Sequence, residues 1–306
     1  MRVFVTRRLP GDALDRLAAE HEVEVWPERL PPPREEVLRR VPELEGLLPL
    51  LTDRVDAELL DAAPRLRAIS NYAVGVDNVD VEAASARGIP VGNTPDVLTD
   101  STADLAVALM LGIGRRLAQG DAYVRRGEWE TWETQLLLGH DLHEATVGIV
   151  GFGRIGQAVA RRVEGFDCEV LHTSRSGGVD LEELLERSDF VSIHTPLTAE
   201  TRGLIDAVAL KRMKPTAYLV NTARGPVVDT EALVAALKSG EIGGAALDVT
   251  DPEPLPAGHP LLDAPNLLVL PHLGSATHAT RERMANMAVD NLLAGLRGER
   301  MPHQVN

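Results

Sequence analysis

The sequence predicts an α/β protein built from two doubly wound, parallel-sheet domains. Three observations carry this expectation. Short apolar runs alternate with helix-patterned segments along the 306 residues, the order that joins parallel strands through crossover helices. The runs of the second half are almost continuously apolar, as strands buried on both faces are. A glycine-rich turn, Gly151-Phe152-Gly153-Arg154-Ile155-Gly156, stands directly between one such run and a helical pattern.

The first half opens with the run Val3–Val5 and the helical pattern Ala13–Glu20. Glu22–Val25, a helix near Arg34–Val41, the run Gly46–Leu50, a helix over Ala57–Ala62 and the run Leu66–Ser70 follow. Residues 1–94 read as a small open α/β domain. A long helix is expected over Ser101–Leu117, capped by Asp100 or Ser101, with Asp104 in the first turn where a negative charge favours the dipole. The second domain opens at Ala145, with strands at Thr146–Val150, Glu169–His172, Phe190–His194, Tyr218–Asn221, Ala245–Asp248 and Leu267–Leu270. No strand follows the last helix, Ala276–Arg297, so it is expected to pack back on the first domain. The expected domains are therefore residues 1–94 completed by 276–306, and residues 95–275, with a cleft between them.

Composition narrows the function. A formal net charge of -15 repels nucleic acid and anionic membranes, so neither is an expected partner. The single cysteine, Cys168, rules out an internal disulfide framework and a Cys-rich zinc site, and no metal site is expected. The chain shows no signal-peptide core and no apolar run of membrane-spanning length. A cytoplasmic location is the expectation.

The glycine turn has a definite physical reading. Gly151 permits the tight turn, Gly153 lets the backbone approach a pyrophosphate, and Gly156 lets helix and strand pack closely. The helix N-terminus offers free N–H groups and a positive dipole end to phosphates. An ordinary strand–helix turn is the plain alternative; the strand before and the helix Arg154–Val163 after favour a dinucleotide. An NAD site places Asp or Glu at the end of the next strand, on the ribose 2′-OH. Here that end reads His172-Thr173-Ser174-Arg175-Ser176, with no acid. Ser174 and Arg175 suit a 2′-phosphate, so the expected cofactor is NADP(H), with NAD(H) as the alternative.

Three charged groups stand at or just after the ends of expected strands: Arg224, Glu253 and His272. Ligands of open α/β sheets bind outside the carboxyl ends of the strands. Singly, each has an ordinary explanation: a cap or surface ion pair for Arg224, a solvated loop tip for Glu253, a satisfied core histidine for His272. Together, behind a dinucleotide loop, they match reduction of a ketone. His272 can protonate the oxygen. Arg224 can clamp a carboxylate and polarise the carbonyl. Glu253 beside the ring favours imidazolium. The loop Asn71–Asp77 reads either as a plain turn or as a nest of N–H groups for the substrate carboxylate.

These segments resemble the D-2-hydroxyacid dehydrogenase family, most closely its glyoxylate/hydroxypyruvate reductases. The likeness covers nearly the whole chain and rests on Tyr72–Asp77, Asn93–Asp100, Val147–Gly156, Asn221-Thr-Ala-Arg-Gly225, Leu247–Leu255 and Pro271–Thr277. The ending Asn291–Glu299 is similar to the glyoxylate/hydroxypyruvate branch. The resemblance implies a flavodoxin-like substrate domain and a Rossmann cofactor domain. It implies Arg224 as substrate-binding arginine, Glu253 as the acid paired with the histidine and His272 as proton donor. Val74, Gly75 and Ser275 would join Arg224 at the substrate. Thr102, Thr195, Pro196, Thr222, Ala223, Asp248 and Gly274 would join the glycine loop at the cofactor.

The implied substrates are small 2-keto and 2-hydroxy acids, the implied assembly a homodimer, with a loop carrying Trp129 and Trp132 reaching the neighbouring subunit's active site. One departure is visible. The family usually places an extra helix and a short strand after the cofactor-specificity loop, and Gly177–Ser188 leaves room for one helix. Rival readings are phosphoglycerate dehydrogenase, another D-2-hydroxyacid dehydrogenase, and a nucleotide-sensing corepressor.

Overall fold

In the computed structural model, which describes residues 1–306, the chain forms two compact units. The first comprises Met1–Leu98 with Ala276–Asn306, the second Thr99–Ser275. The first crossing thus falls at the start of a helix, four residues beyond the expected boundary at 94.

The first unit contains β1 (Arg2–Val5), α1 (Ala13–Glu20), β2 (Glu22–Val25), α2 (Arg34–Arg40), β3 (Gly46–Leu48), α3 (Ala57–Asp61), β4 (Ala68–Ser70), α4 (Val81–Ala86) and β5 (Val91–Gly92). Its five parallel strands lie in the order β2-β1-β3-β4-β5. Side chains of a strand alternate between faces, and the core divides accordingly. Val3, Val5, Leu48 and Ala68 face one layer, and Phe4, Leu47 and Ile69 the other. The last helix belongs to the first layer, through Ala288, Val289, Leu292 and Leu296. Each fully buried leucine there contributes about 1.5–3 kcal/mol of hydrophobic stabilisation.

The second unit runs α5 (Thr99–Gly114), α6 (Leu117–Arg125), β6 (Thr146–Val150), α7 (Arg154–Val163), β7 (Glu169–Ser174), β8 (Gly177–Gly178), α8 (Leu181–Arg187), β9 (Phe190–Ile193), α9 (Ala207–Arg212), β10 (Tyr218–Asn221), α10 (Thr230–Ser239), β11 (Gly244–Leu247) and β12 (Leu267–Val269). The closing helix of the chain, α11 (His278–Leu296), returns to the first unit. The sheet order is β12-β11-β10-β9-β6-β7-β8, parallel except for the β7–β8 pair. Alternation again divides the core: Val147, Ile149, Tyr218, Val220 and Ala246 pack with Ala106, Leu109 and Met110 of α5, whereas Val191, Ile193, Leu219 and Leu247 face the opposite layer.

Three elements depart from the sequence reading. The expected helix Ser101–Leu117 is two helices, broken where Arg116 adopts a left-handed conformation at φ 52°. Asp100 and Ser101 lie inside the first turn of α5 and do not cap it. The gap expected to hold one helix also holds β8, an antiparallel return made by Gly177 at φ 135° and Gly178 at φ 108°. A Cβ at Gly178 would stand 2.0 Å from the His172 carbonyl oxygen, so only glycine lets the two strands close. No helix is long and apolar enough to cross a membrane.

Candidate active site

The strand order of the second unit reverses between β6 and β9, the place where a crevice opens outside the carboxyl ends. Gly151, directly after β6, has φ 95°. A Cβ there would stand 2.7 Å from the carbonyl carbon of His194 and from the Thr195 nitrogen, so the loops after β6 and β9 meet only because residue 151 is glycine. A Cβ at Gly156 would lie 2.3 Å from the Gly151 oxygen, which fixes how closely α7 enters the turn. At Gly153, by contrast, a Cβ would meet nothing within 4 Å, and no side chain caps α7. The first turn carries no acidic residue. An open approach to an uncapped, positive helix end fits a pyrophosphate.

The ring of Phe152 stacks on His172 at 3.9 Å between centroids, leaving its backbone to the loop. Ile155 packs toward the core while Arg154 is exposed. After β7, the Ser174 hydroxyl donates to Gly177 O at 3.0 Å and accepts from the Ser176 N–H at 3.3 Å. It thereby shapes the turn that carries the exposed Arg175. After β9, the Thr201 hydroxyl donates to Pro196 O at 2.6 Å and closes the Thr195–Pro196 turn.

Arg224, Glu253 and His272 follow β10, β11 and β12, three neighbouring strands. The Asn221 amide donates to Arg224 O at 2.9 Å and its oxygen accepts from Ala223 N–H at 3.0 Å, which sets the turn that presents Arg224. A Cβ at Gly225 would stand 2.0 Å from Thr250 O, so the β10 and β11 loops touch at the backbone. Within the second loop, the Thr250 hydroxyl donates to Pro252 O at 2.8 Å. Glu253 Oε1 then lies 2.6 Å from Nδ1 of His272. Both side chains are partly exposed, 32% and 24% respectively. With Nδ1 engaged by the carboxylate, the tautomer places a proton there and leaves Nε2 as the working nitrogen.

Asp248, Thr102 and Gly274, expected at the cofactor, are buried and joined to one another. The Asp248 carboxylate accepts the N–H groups of Leu273 (2.6 Å) and Gly274 (2.8 Å). Ser101 and Thr102 hydroxyls donate to Gly274 O at 3.0 and 3.2 Å. Asp248 O accepts the His272 N–H at 2.9 Å. His272 itself has φ 57°, so this clamp holds a left-handed residue in place. Ser275 is buried beside it at 8% exposure.

The sequence reading missed His194. Its Nε2 lies 2.8 Å from Ser192 Oγ and its Nδ1 3.4 Å from Thr222 Oγ1. Burial pushes the imidazole down to about 4, so it is neutral near pH 7. The available signal was Ser192 and His194 at alternate positions of an otherwise apolar strand.

Known proteins bear on this geometry. Residues 107–274 match the family described as D-isomer specific 2-hydroxyacid dehydrogenase, NAD binding domain. A glyoxylate reductase of Thermococcus gammatolerans is 50% identical over 320 residues, covering 100% of this chain and 96% of that protein. Among solved structures, a Thermus thermophilus protein shares 54% identity at TM-score 0.96, covering both chains fully (100%). An NADPH-dependent glyoxylate/hydroxypyruvate reductase of Sinorhizobium meliloti, solved with NADP and malonate, shares 35% identity at TM-score 0.87, covering 99% of this chain and 96% of that one. The glycine turn between β6 and α7, the histidine–carboxylate pair and these full-length likenesses converge: the chain belongs to the D-isomer specific 2-hydroxyacid dehydrogenase family and is an oxidoreductase with an NAD(P)-binding domain.

Proposed function

We propose that the chain reduces glyoxylate, and hydroxypyruvate, with NADPH to give glycolate and D-glycerate. The observation that carries this reading is the 2.6 Å Glu253–His272 pair in a chain 50% identical, over its whole length, to a glyoxylate reductase. A dihydronicotinamide cofactor, its pyrophosphate held by the glycine loop, would supply the hydride. His272 delivers a proton from Nε2 to the carbonyl oxygen, and Glu253 balances and orients the ring through Nδ1. Arg224 binds the substrate carboxylate and draws electron density onto the oxygen. The Val74 and Gly75 backbone supplies N–H groups to the same carboxylate.

The preference for NADPH rests on the end of β7, where Ser174-Arg175-Ser176 carries no carboxylate to repel a 2′-phosphate. A homodimer is proposed from α6 and the segment after it. No residue of α6 is buried, and Leu117, Val124, Trp129, Trp132 and Leu138 are all at least half exposed, Trp132 at 78%. Apolar surface of that extent suits a second copy of the chain, and Trp129 and Trp132 are the residues proposed to reach its active site.

The test is a panel of glyoxylate, hydroxypyruvate, pyruvate and 3-phosphohydroxypyruvate, each with NADH and NADPH. The highest kcat/KM with glyoxylate or hydroxypyruvate and NADPH is expected. A clear preference for the phosphorylated keto acid, or no turnover of any, would overturn the reading.

A further inference from the structure

Three consecutive peptide carbonyls in the loop after β4 are held by donors from their own loop and a neighbouring one. Ala73 O accepts the Thr94 backbone N–H at 2.9 Å. Val74 O accepts Asn93 Nδ2 at 2.8 Å. Gly75 O accepts Asn71 Nδ2 at 2.9 Å. In a planar trans peptide the N–H points opposite to the C=O. Each grip therefore aims the N–H on the far side of the same peptide: those of Val74, Gly75 and Val76. None of these three N–H groups has an acceptor in the protein, and all three residues are partly exposed. Three successive N–H groups without a protein acceptor, each on a peptide whose carbonyl is engaged, are available to an anion.

The two asparagines are themselves anchored. Asn71 Nδ2 also donates to Asn78 Oδ1 at 2.9 Å. Asn78 Nδ2 runs on to Leu50 O and Asp53 O, both at 3.0 Å, tying the loop to the end of β3. The backbone of Asn93 is fixed independently: its N–H donates to His303 O at 3.1 Å and its carbonyl accepts Asn291 Nδ2 at 2.8 Å. The side chain of Asn93 is thus spent on the Val74 carbonyl. A carboxylate at either position would set lone pairs against that carbonyl, and an alkyl group would leave the peptide free to turn.

We propose that Asn71 and Asn93 are positioning residues for substrate binding, which hold the peptides after Val74 and Gly75 so that their N–H groups face the substrate carboxylate, and that Val76 is a third donor. This rests on the reading above, in which the loop receives that carboxylate. A receptor that grips the carboxylate equally in ground and transition states changes KM and leaves kcat alone.

The experiment compares wild type with Asn93→Ala and Asn93→Asp, using glyoxylate as substrate and oxamate as a non-reacting carboxylate. We expect KM for glyoxylate and Ki for oxamate to rise together, about tenfold to a hundredfold, the loss of a charge-assisted contact. The kcat should stay within about threefold, and NADPH affinity by fluorescence titration should be unchanged. A merely structural role would lower the active fraction and leave KM where it was. Unchanged KM and Ki, or NADPH affinity falling in step, would overturn the proposal. Should the variants fail to fold, oxamate titration of the ¹⁵N-labelled wild-type holoenzyme decides: the amides of Val74, Gly75 and Val76 must shift, and inhibition without their shifting overturns it. A wild type that neither reduces glyoxylate nor binds oxamate defeats the underlying functional reading instead, and this proposal with it.

Discussion

The carboxylate of Asp248 accepts the backbone N–H of Gly274 at 2.8 Å from a position that is 1% exposed. Its other oxygen accepts from Leu273 at 2.6 Å. A buried acid is thus used to hold the two residues that follow His272. Asp248→Asn sets an NH₂ against one of those N–H groups and leaves a buried donor unpaired, at a cost of about 1–3 kcal/mol. Thermal unfolding should shift down by several degrees, and kcat should fall at least about tenfold as the His272 turn loosens. Wild-type kcat in a folded Asp248→Asn protein would show that the clamp does not position the histidine.

Arg175 separates the two cofactors. Removing a charge-assisted contact to a 2′-phosphate should cost about 1.5–3 kcal/mol, roughly tenfold to a hundredfold in affinity. Arg175→Ala should raise KM for NADPH by that factor and leave KM for NADH nearly unchanged. Steady-state kinetics with both cofactors measures it, and equal effects on the two would remove the 2′-phosphate assignment.

His194 predicts a pH dependence of stability. Its folded value of about 4 lies below its ordinary value of 6.5, so the unfolded chain binds the extra proton. The His194 contribution to stability is present well above pH 6.5 and is lost as the pH falls toward 4. The contribution lost between pH 7.5 and 5 is about 2 kcal/mol. Urea unfolding of wild type and His194→Asn at the two pH values should show this difference in slope. Parallel pH dependences would mean that the imidazole is not held neutral.

The exposed tryptophans test the proposed assembly. Trp129 is 59% and Trp132 78% exposed in the single chain. Sedimentation should find a dimer for wild type, weakened in the Trp129→Ser, Trp132→Ser double variant. A dimer of undiminished affinity would place the interface elsewhere.

How much of this was legible follows from what each residue type reports. Strands buried on both faces, such as Tyr218–Asn221, read directly as apolar runs. The glycine loop was readable because Gly151, Gly153 and Gly156 each have a different backbone reason. Arg224, Glu253 and His272 stand at strand ends in the sequence, but that their three strands are neighbours depends on the order β12-β11-β10, which only the fold supplies. Arg116 separates α5 from α6 in a left-handed conformation that its side chain does not advertise. The two-residue strands β5 and β8 are too short for any periodicity. The backbone bonds of Asp248 and Asn93 were not legible, because a side chain bonded to distant backbone leaves no local pattern in the sequence.

The central claim is that His272, held by Glu253, is the proton donor. The most direct measurement is kcat for glyoxylate reduction by His272→Gln at saturating NADPH, alongside NADPH binding by fluorescence. A positioned general acid contributes roughly 10²- to 10⁴-fold, so the account predicts a loss of that size with cofactor binding intact. A His272→Gln protein that retains kcat within about threefold of wild type would contradict it, and the proton would have to come from another group.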